Sequence, residues 1–119
     1  YKDRGFKAVK IKVGSANWKT DLMRLKRVRE VVGEDIDIMM DENQGMELAN
    51  AVQLALAARD QNIFWFEEPI NHQDFDGFQK LKEKTGISLA MGEREFDILA
   101  LRELIRKNAI DIWQPDFFN

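Results

Sequence analysis

Ile63-Phe64-Trp65-Phe66-Glu67 is an apolar run, rich in aromatic residues, that closes on a carboxylate. Its composition reads as a β-strand. The same pattern recurs outward on both sides. Upstream, Met39-Met40-Asp41 and Val9-Lys10-Ile11-Lys12 end on charged residues; downstream, Ala90-Met91-Gly92-Glu93 and Trp113-Gln114-Pro115-Asp116 do so too. The terminal residues Lys12, Asp41, Glu67, Glu93 and Asp116 are spaced by 29, 26, 26 and 23 positions. That interval is the length of one strand, one helix and their loops. Charged strand ends repeated at a βα period collect two lysines and four carboxylates at one end of a parallel sheet. Active sites of parallel α/β folds lie at that end.

The segments between the strands read as helices. Trp18, Leu22, Leu25, Val28 and Val32 form a stripe at steps of three and four, with Asn17 placed to cap its start and Gly33 its end. Leu48, Val52, Ala55 and Ala58 mark a second, alanine-rich helix. Asp74 stands before a third carrying Phe75, Phe78 and Leu81 and ending near Gly86, and Asp97 before a fourth carrying Leu101, Leu104 and Ile105. Strands are expected over 6–13, 36–41, 63–67, 87–91 and 110–114. The order β-α-β-α-β-α-β-α-β, joined by right-handed crossovers, gives a parallel sheet with helices outside it. Two architectures compete. A doubly wound sheet usually carries a glycine-rich phosphate loop after its first strand, and Val13-Gly14-Ser15-Ala16-Asn17 is not GxGxxG. A TIM barrel draws catalytic residues from the ends of several strands, as here, but needs about 200 residues or more for eight units. Five strands amount to roughly half of one.

The chain has 119 residues, 45% hydrophobic and 33% charged, which suffices for one modest core. A net charge of −3 with mixed signs argues against a nucleic-acid partner. No apolar run approaches the roughly 18 residues that would span a bilayer. There is no signal-peptide pattern, and the absence of cysteine fits a reducing compartment, so a cytoplasmic location is expected. Without Cys, and with His72 as the one histidine, thiolate catalysis and zinc–thiolate or histidine-cluster sites are excluded. The opening Tyr1-Lys2-Asp3-Arg4-Gly5 reads as a helix tail with its C′ glycine, there is no initiator Met, and both ends read as cut from a longer protein.

Asp41, Glu67 and Glu93 come from three consecutive strand ends. Like charges converging there repel unless a cation sits among them, and an all-oxygen set with vacant positions suits Mg²⁺. Any one of these residues alone reads equally well as a solvated strand end or a helix cap. An EF-hand reading of the segment from Asp41 fails: Gly45 falls one position early, and Val52 stands where the bidentate Glu belongs. Lys10 and Lys12, two apart on one strand, share a face. Their mutual repulsion beside a cation is expected to lower their pKa values, which suits a general base; the bland alternative is a lysine pair on a solvated edge strand. Asp116 reads as a residue that orients a histidine or as a turn residue after Pro115. Asn43 and Glu68 flank the metal-ligand candidates and read as substrate contacts or as supports for those ligands. Trp65 and Trp113 read as barrel filling and His72 as a loop residue.

Taken together, Val9-Lys10-Ile11-Lys12-Val13-Gly14, Met40-Asp41-Glu42-Asn43-Gln44, Trp65-Phe66-Glu67-Glu68-Pro69-Ile70, Met91-Gly92-Glu93 and Gln114-Pro115-Asp116 resemble the enolase superfamily, mandelate racemase/muconate lactonizing enzyme branch. The resemblance spans the chain in order. It implies an α/β fold: a (β/α)8 TIM-barrel fragment over 1–119 covering about barrel strands 2–6, without the capping domain and the remaining strands. It implies Mg²⁺-dependent removal of the proton α to a carboxylate through an enediolate. Asp41, Glu67 and Glu93 resemble the metal ligands, Lys12 the base, and Lys10 its neighbour near the substrate carboxylate. Asn43, Glu93 and Asp116 resemble the mandelate-racemase-like subgroup, in which Asp116 would pair with a histidine of the next strand. The subgroup implies a sugar-acid dehydratase, with a racemase, epimerase or cycloisomerase as runner-up, and a homo-oligomeric parent protein. A non-catalytic half-barrel is the reading from a different class.

Overall fold

The computed structural model describes residues 4–116. Five strands form one parallel sheet: β1 (Ala8–Lys12), β2 (Asp37–Asp41), β3 (Ile63–Glu67), β4 (Leu89–Met91) and β5 (Ile112–Trp113). Their order in space is their order in sequence, β1-β2-β3-β4-β5, with every pair parallel. A doubly wound sheet reverses direction at a switch point; this one never does. The helices α1 (Trp18–Val32), α2 (Leu48–Ala57), α3 (Phe75–Thr85) and α4 (Ile98–Arg106) alternate with the strands. Successive additions on the same side, with helices covering one face, make an arc of a (β/α) barrel.

Alternation along the strands sorts the two faces. Ile38, Met40, Phe66, Leu89 and Met91 are buried against the helices, where Leu25, Leu54, Phe78, Leu81 and Leu104 are also buried. Each such leucine contributes about 1.5–3 kcal/mol by leaving water. The opposite face carries Lys10, Lys12, Asp41 and Glu67. The register sets them level, Lys12 beside Asp41 and Asp41 beside Glu67.

The expected caps form. The Asn17, Asp74 and Asp97 side chains accept from the backbone N–H of Lys19, Gly77 and Leu99 at 3.1, 2.9 and 2.8 Å. Gly33 and Gly86 end their helices at φ 77° and 67°, and Gly5 has φ 81°; the helix tail expected at residues 1–3 lies outside the described residues. Strands β4 and β5 are shorter than expected; at their start Leu89 N–H donates to the Asp111 carboxylate at 2.9 Å while Asp111 N–H donates to the Leu89 carbonyl at 2.9 Å. Sequence periodicity also missed a 3₁₀ turn over Arg59–Gln61 and a register shift at Ile38/Met39, where β3 carries the extra residue Phe64.

Candidate active site

The C-terminal strand ends meet as a net of alternating charge. Lys12 Nζ lies 2.8 Å from Asp41 Oδ2, and Lys10 Nζ lies 3.2 Å from the same oxygen. Lys10 also donates to both oxygens of Glu67, at 2.8 and 2.9 Å. The Trp65 indole N–H donates to Glu67 Oε2 at 3.3 Å, so this ring is tied into the net rather than serving as filler alone. Trp113 packs instead against the sheet–helix core. Asp41 and Glu67 are only 5% and 7% exposed. Two carboxylates so buried require counter-charge, and β1 supplies it. Burial pulls the Lys10 ammonium down, but the hydrogen bond and charge of Glu67, followed by those of Asp41, outweigh it and hold its pKa above the ordinary lysine value. This corrects the expectation of a lowered pKa at Lys10: carboxylates, not the second ammonium, are its close neighbours.

Beyond β4 and β5, a cleft of about 340 Å³ is lined by Lys10, Glu67, Glu68, Gly92, Glu93, Gln114, Pro115 and Asp116. Glu93 and Asp116 therefore share a cleft with Lys10 and Glu67, but Glu93 does not join the ion-pair net. Its side chain is 46% exposed, with Arg94 Nε 3.8 Å away. Among the described residues, no three Asp, Glu, His or Cys side chains stand close enough together to hold a metal ion. The donor chemistry nonetheless fits Mg²⁺: the buried carboxylates Asp41 and Glu67 already face cationic groups, Glu93 shares a cleft with Glu67, and neither histidine nor cysteine accompanies them.

The loops that follow β1, β2 and β3 are held by Asp21, Glu42 and Gln44, which sequence reasoning passed over, together with the candidates Asn43 and Glu68. Asp21, fully buried at the start of α1, accepts from Gly14 and Ser15 N–H at 3.0 and 2.8 Å and from Ser15 Oγ at 2.9 Å, which fixes the turn after Lys12. Glu42 lies over Gly14, where a Cβ would meet its Oε1 at 2.5 Å, and accepts from Gly45 N–H. Burial pushes the Glu42 carboxyl up, opposed by the N–H groups of Gly45 and Met46. Asn43 Oδ1 accepts from Lys12 Nζ. Gln44 donates from Nε2 to Glu68 Oε2 at 2.7 Å, and its Oε1 meets His72 Nδ1 at 2.7 Å. No periodicity marks these contacts; the one available signal is a run of polar residues directly after a strand end.

The sequence matches the enolase C-terminal domain-like family, the mandelate racemase/muconate lactonizing enzyme type, over residues 1–119. The chain belongs to that branch of the enolase superfamily. Among its relatives, arabinonate dehydratase of Saccharolobus solfataricus is 35% identical over 116 residues, 98% of this chain and 31% of that protein. The crystal structure of 3,6-anhydro-D-galactonate cycloisomerase from Zobellia galactanivorans superposes with a TM-score of 0.92 at 38% identity, covering 98% of this chain and 33% of that one. A mandelate racemase/muconate lactonizing enzyme from a marine actinobacterium, solved in complex with magnesium, gives 0.91 at 35% identity, with coverage of 98% and 33%. The chain thus spans about a third of the length of these superfamily members. Among the described residues no helix is long and apolar enough to cross a membrane.

Proposed function

We propose that these 119 residues form the central arc of a complete enolase-superfamily barrel, and that the barrel removes the proton α to a carboxylate in a sugar acid and then expels the β-hydroxyl. The observation that carries this is the convergence of Lys10 and Lys12 on the buried pair Asp41 and Glu67, on a chain that belongs to this superfamily throughout its length. Support for a dehydratase comes from arabinonate dehydratase, 35% identical over nearly the whole chain. The cycloisomerase of Zobellia galactanivorans, at 38% identity, favours the second reading, in which the same proton abstraction ends in isomerisation.

Asp41, Glu67 and Glu93 are the residues proposed to hold Mg²⁺, which when bound supplies positive charge to the carboxylate of the substrate. A proton α to a carboxylate is very weakly acidic, and its removal builds an enediolate dianion. Preorganised positive charge is the means of making that step fast. Lys10 adds a fixed ammonium at the rim. Lys12, nearer the end of β1, takes the proton. Asp116, three residues past β5, orients a partner acid that protonates the departing hydroxyl in this reading. The small-molecule partner is accordingly a polyhydroxy carboxylate.

The reading is tested by solvent deuterium incorporation at the α-carbon. Lys12→Ala should abolish exchange from the lysine's side, whereas Lys10→Ala should mainly weaken carboxylate binding. Wild-type exchange in Lys12→Ala would remove Lys12 from the base role.

A further inference from the structure

We propose that Glu68, acting through Gln44, is a positioning residue that sets where the Lys12 ammonium sits. The proposal rests on the reading of Lys12 as a functional lysine. Three non-glycine residues bracketing Asp41 and Glu67 adopt left-handed backbone: Asn43 at φ 64°, Gln44 at φ 75° and Glu68 at φ 41°. A left-handed conformation is disfavoured for residues with a Cβ and persists where the surroundings hold it. What holds them is one connected set of bonds. Gln44 N–H donates to the Glu68 carbonyl at 2.8 Å, and the Gln44 side-chain amide donates to the Glu68 carboxylate at 2.7 Å. The other end of that amide faces His72, whose backbone N–H lies 3.4 Å from Gln44 Oε1.

The orientation of Gln44 is fixed by chemistry. A carboxylate only accepts and a backbone N–H only donates, so the Gln44 NH₂ faces Glu68 and its carbonyl faces His72. This closes a bridge between the loops after β2 and β3. Its product is the placement of Asn43, the residue before Gln44, whose Oδ1 accepts from Lys12.

Glu68 gains little for itself. It is 1% exposed, and among the described residues its second oxygen has no hydrogen-bond partner although the residue lines the candidate active-site cleft. A buried carboxylate held by one side-chain amide and a strained backbone is poorly explained by stability. It is explained by the turn it imposes on Asn43.

The test is trace acetylation of the complete barrel that contains this arc, at fixed pH, with Lys12 modification read by mass spectrometry against exposed Lys26 in the same molecule. Glu68→Leu removes the acceptor and should raise relative Lys12 labelling about fivefold, the value of one lost hydrogen bond. Glu68→Gln keeps an oxygen for Gln44 and should restore the wild-type rate, which a general loosening of the loops would not do. Gln44→Met, at a half-buried site, decides the matter if Glu68→Leu does not fold, and should also raise labelling. An unchanged Lys12 rate in a folded Gln44→Met or Glu68→Leu protein, or a rise in Glu68→Gln equal to that in Glu68→Leu, would overturn the proposal. Labelling reports the placement of Lys12 and not proton abstraction. Persistent α-exchange in Lys12→Ala would therefore defeat the base assignment while leaving this result standing.

Discussion

Lys10 is the residue on which the charge balance of the site turns. It is the ammonium shared by Asp41 and Glu67, both nearly buried. Lys10→Met should destabilise the fold by about 1–3 kcal/mol, less than for a fully buried pair because the Lys10 side chain is 40% exposed. Adding Glu67→Gln should recover part of that loss, since it removes the charge left without a partner. Urea unfolding of the single and double variants measures both. The participants at this scale were legible in the sequence because strand alternation and a βα period place Lys10, Lys12, Asp41 and Glu67 at one edge. Their partners were not. The Gln44–Glu68 bridge depends on left-handed backbone at Asn43 and Gln44, which leaves no periodic trace, and the Lys10–Glu67 pair joins residues 57 positions apart.

At the scale of elements, two devices hold strands and helices in place. Arg29 is buried and donates only to carbonyls: Gly33 and Ile36 at 2.7 Å each, Gln61 at 2.9 and 3.1 Å, and Asn62 at 3.3 Å. It fastens the end of α1 to the turn before β3. Arg29→Met orphans these acceptors and should cost roughly 2–4 kcal/mol in chemical denaturation. Gly92 sits at φ 146° between β4 and Glu93, and a Cβ there would lie 2.9 Å from backbone atoms of Gln114. Gly92→Ala should lower the melting temperature and separate the ends of β4 and β5, with a cost of about 2 kcal/mol or more. On the surface, Lys107 bonds Asp76 at 2.6 Å across α3 and α4, and this hydrogen bond and charge lower the Asp76 pKa. A carboxylate with a depressed folded pKa stabilises above its unfolded value and loses that contribution as pH falls through the folded value. Asp76→Asn should therefore lower stability slightly at neutral pH, leave it unchanged in strong acid where the carboxylate is already protonated, and flatten the acid limb between the two. Helix caps such as Asn17, Asp74 and Asp97 could be read directly, because capping is local. The link that Arg29 makes to β3 could not, because Gln61 and Asn62 lie 32 and 33 positions away.

Across the whole molecule, β1 and β5 are the two edges of an open sheet. In a closed barrel each would pair with a further strand, and the inward face bearing Lys10, Lys12, Asp41 and Glu67 would gain its opposite wall. Unpaired edges invite association. The 119-residue chain on its own should thus form oligomers in size-exclusion chromatography and show no turnover of sugar acids. A monodisperse, active monomer would show that the remaining strands are dispensable. The order of strands followed from the βα period alone. The resemblance already pointed to the barrel, and the observed 1-2-3-4-5 order agrees; periodicity alone could not choose, because it does not record which side of the sheet each crossover lands on.

Proton abstraction at Lys12 is tested most directly by proton NMR of a panel of sugar acids in D₂O with Mg²⁺, following the acid that reacts, using the complete barrel that contains this arc. The α-proton signal should fall with wild-type protein, persist with Lys12→Ala, and persist with Glu67→Gln. Loss of that signal at the wild-type rate in Lys12→Ala would contradict the account.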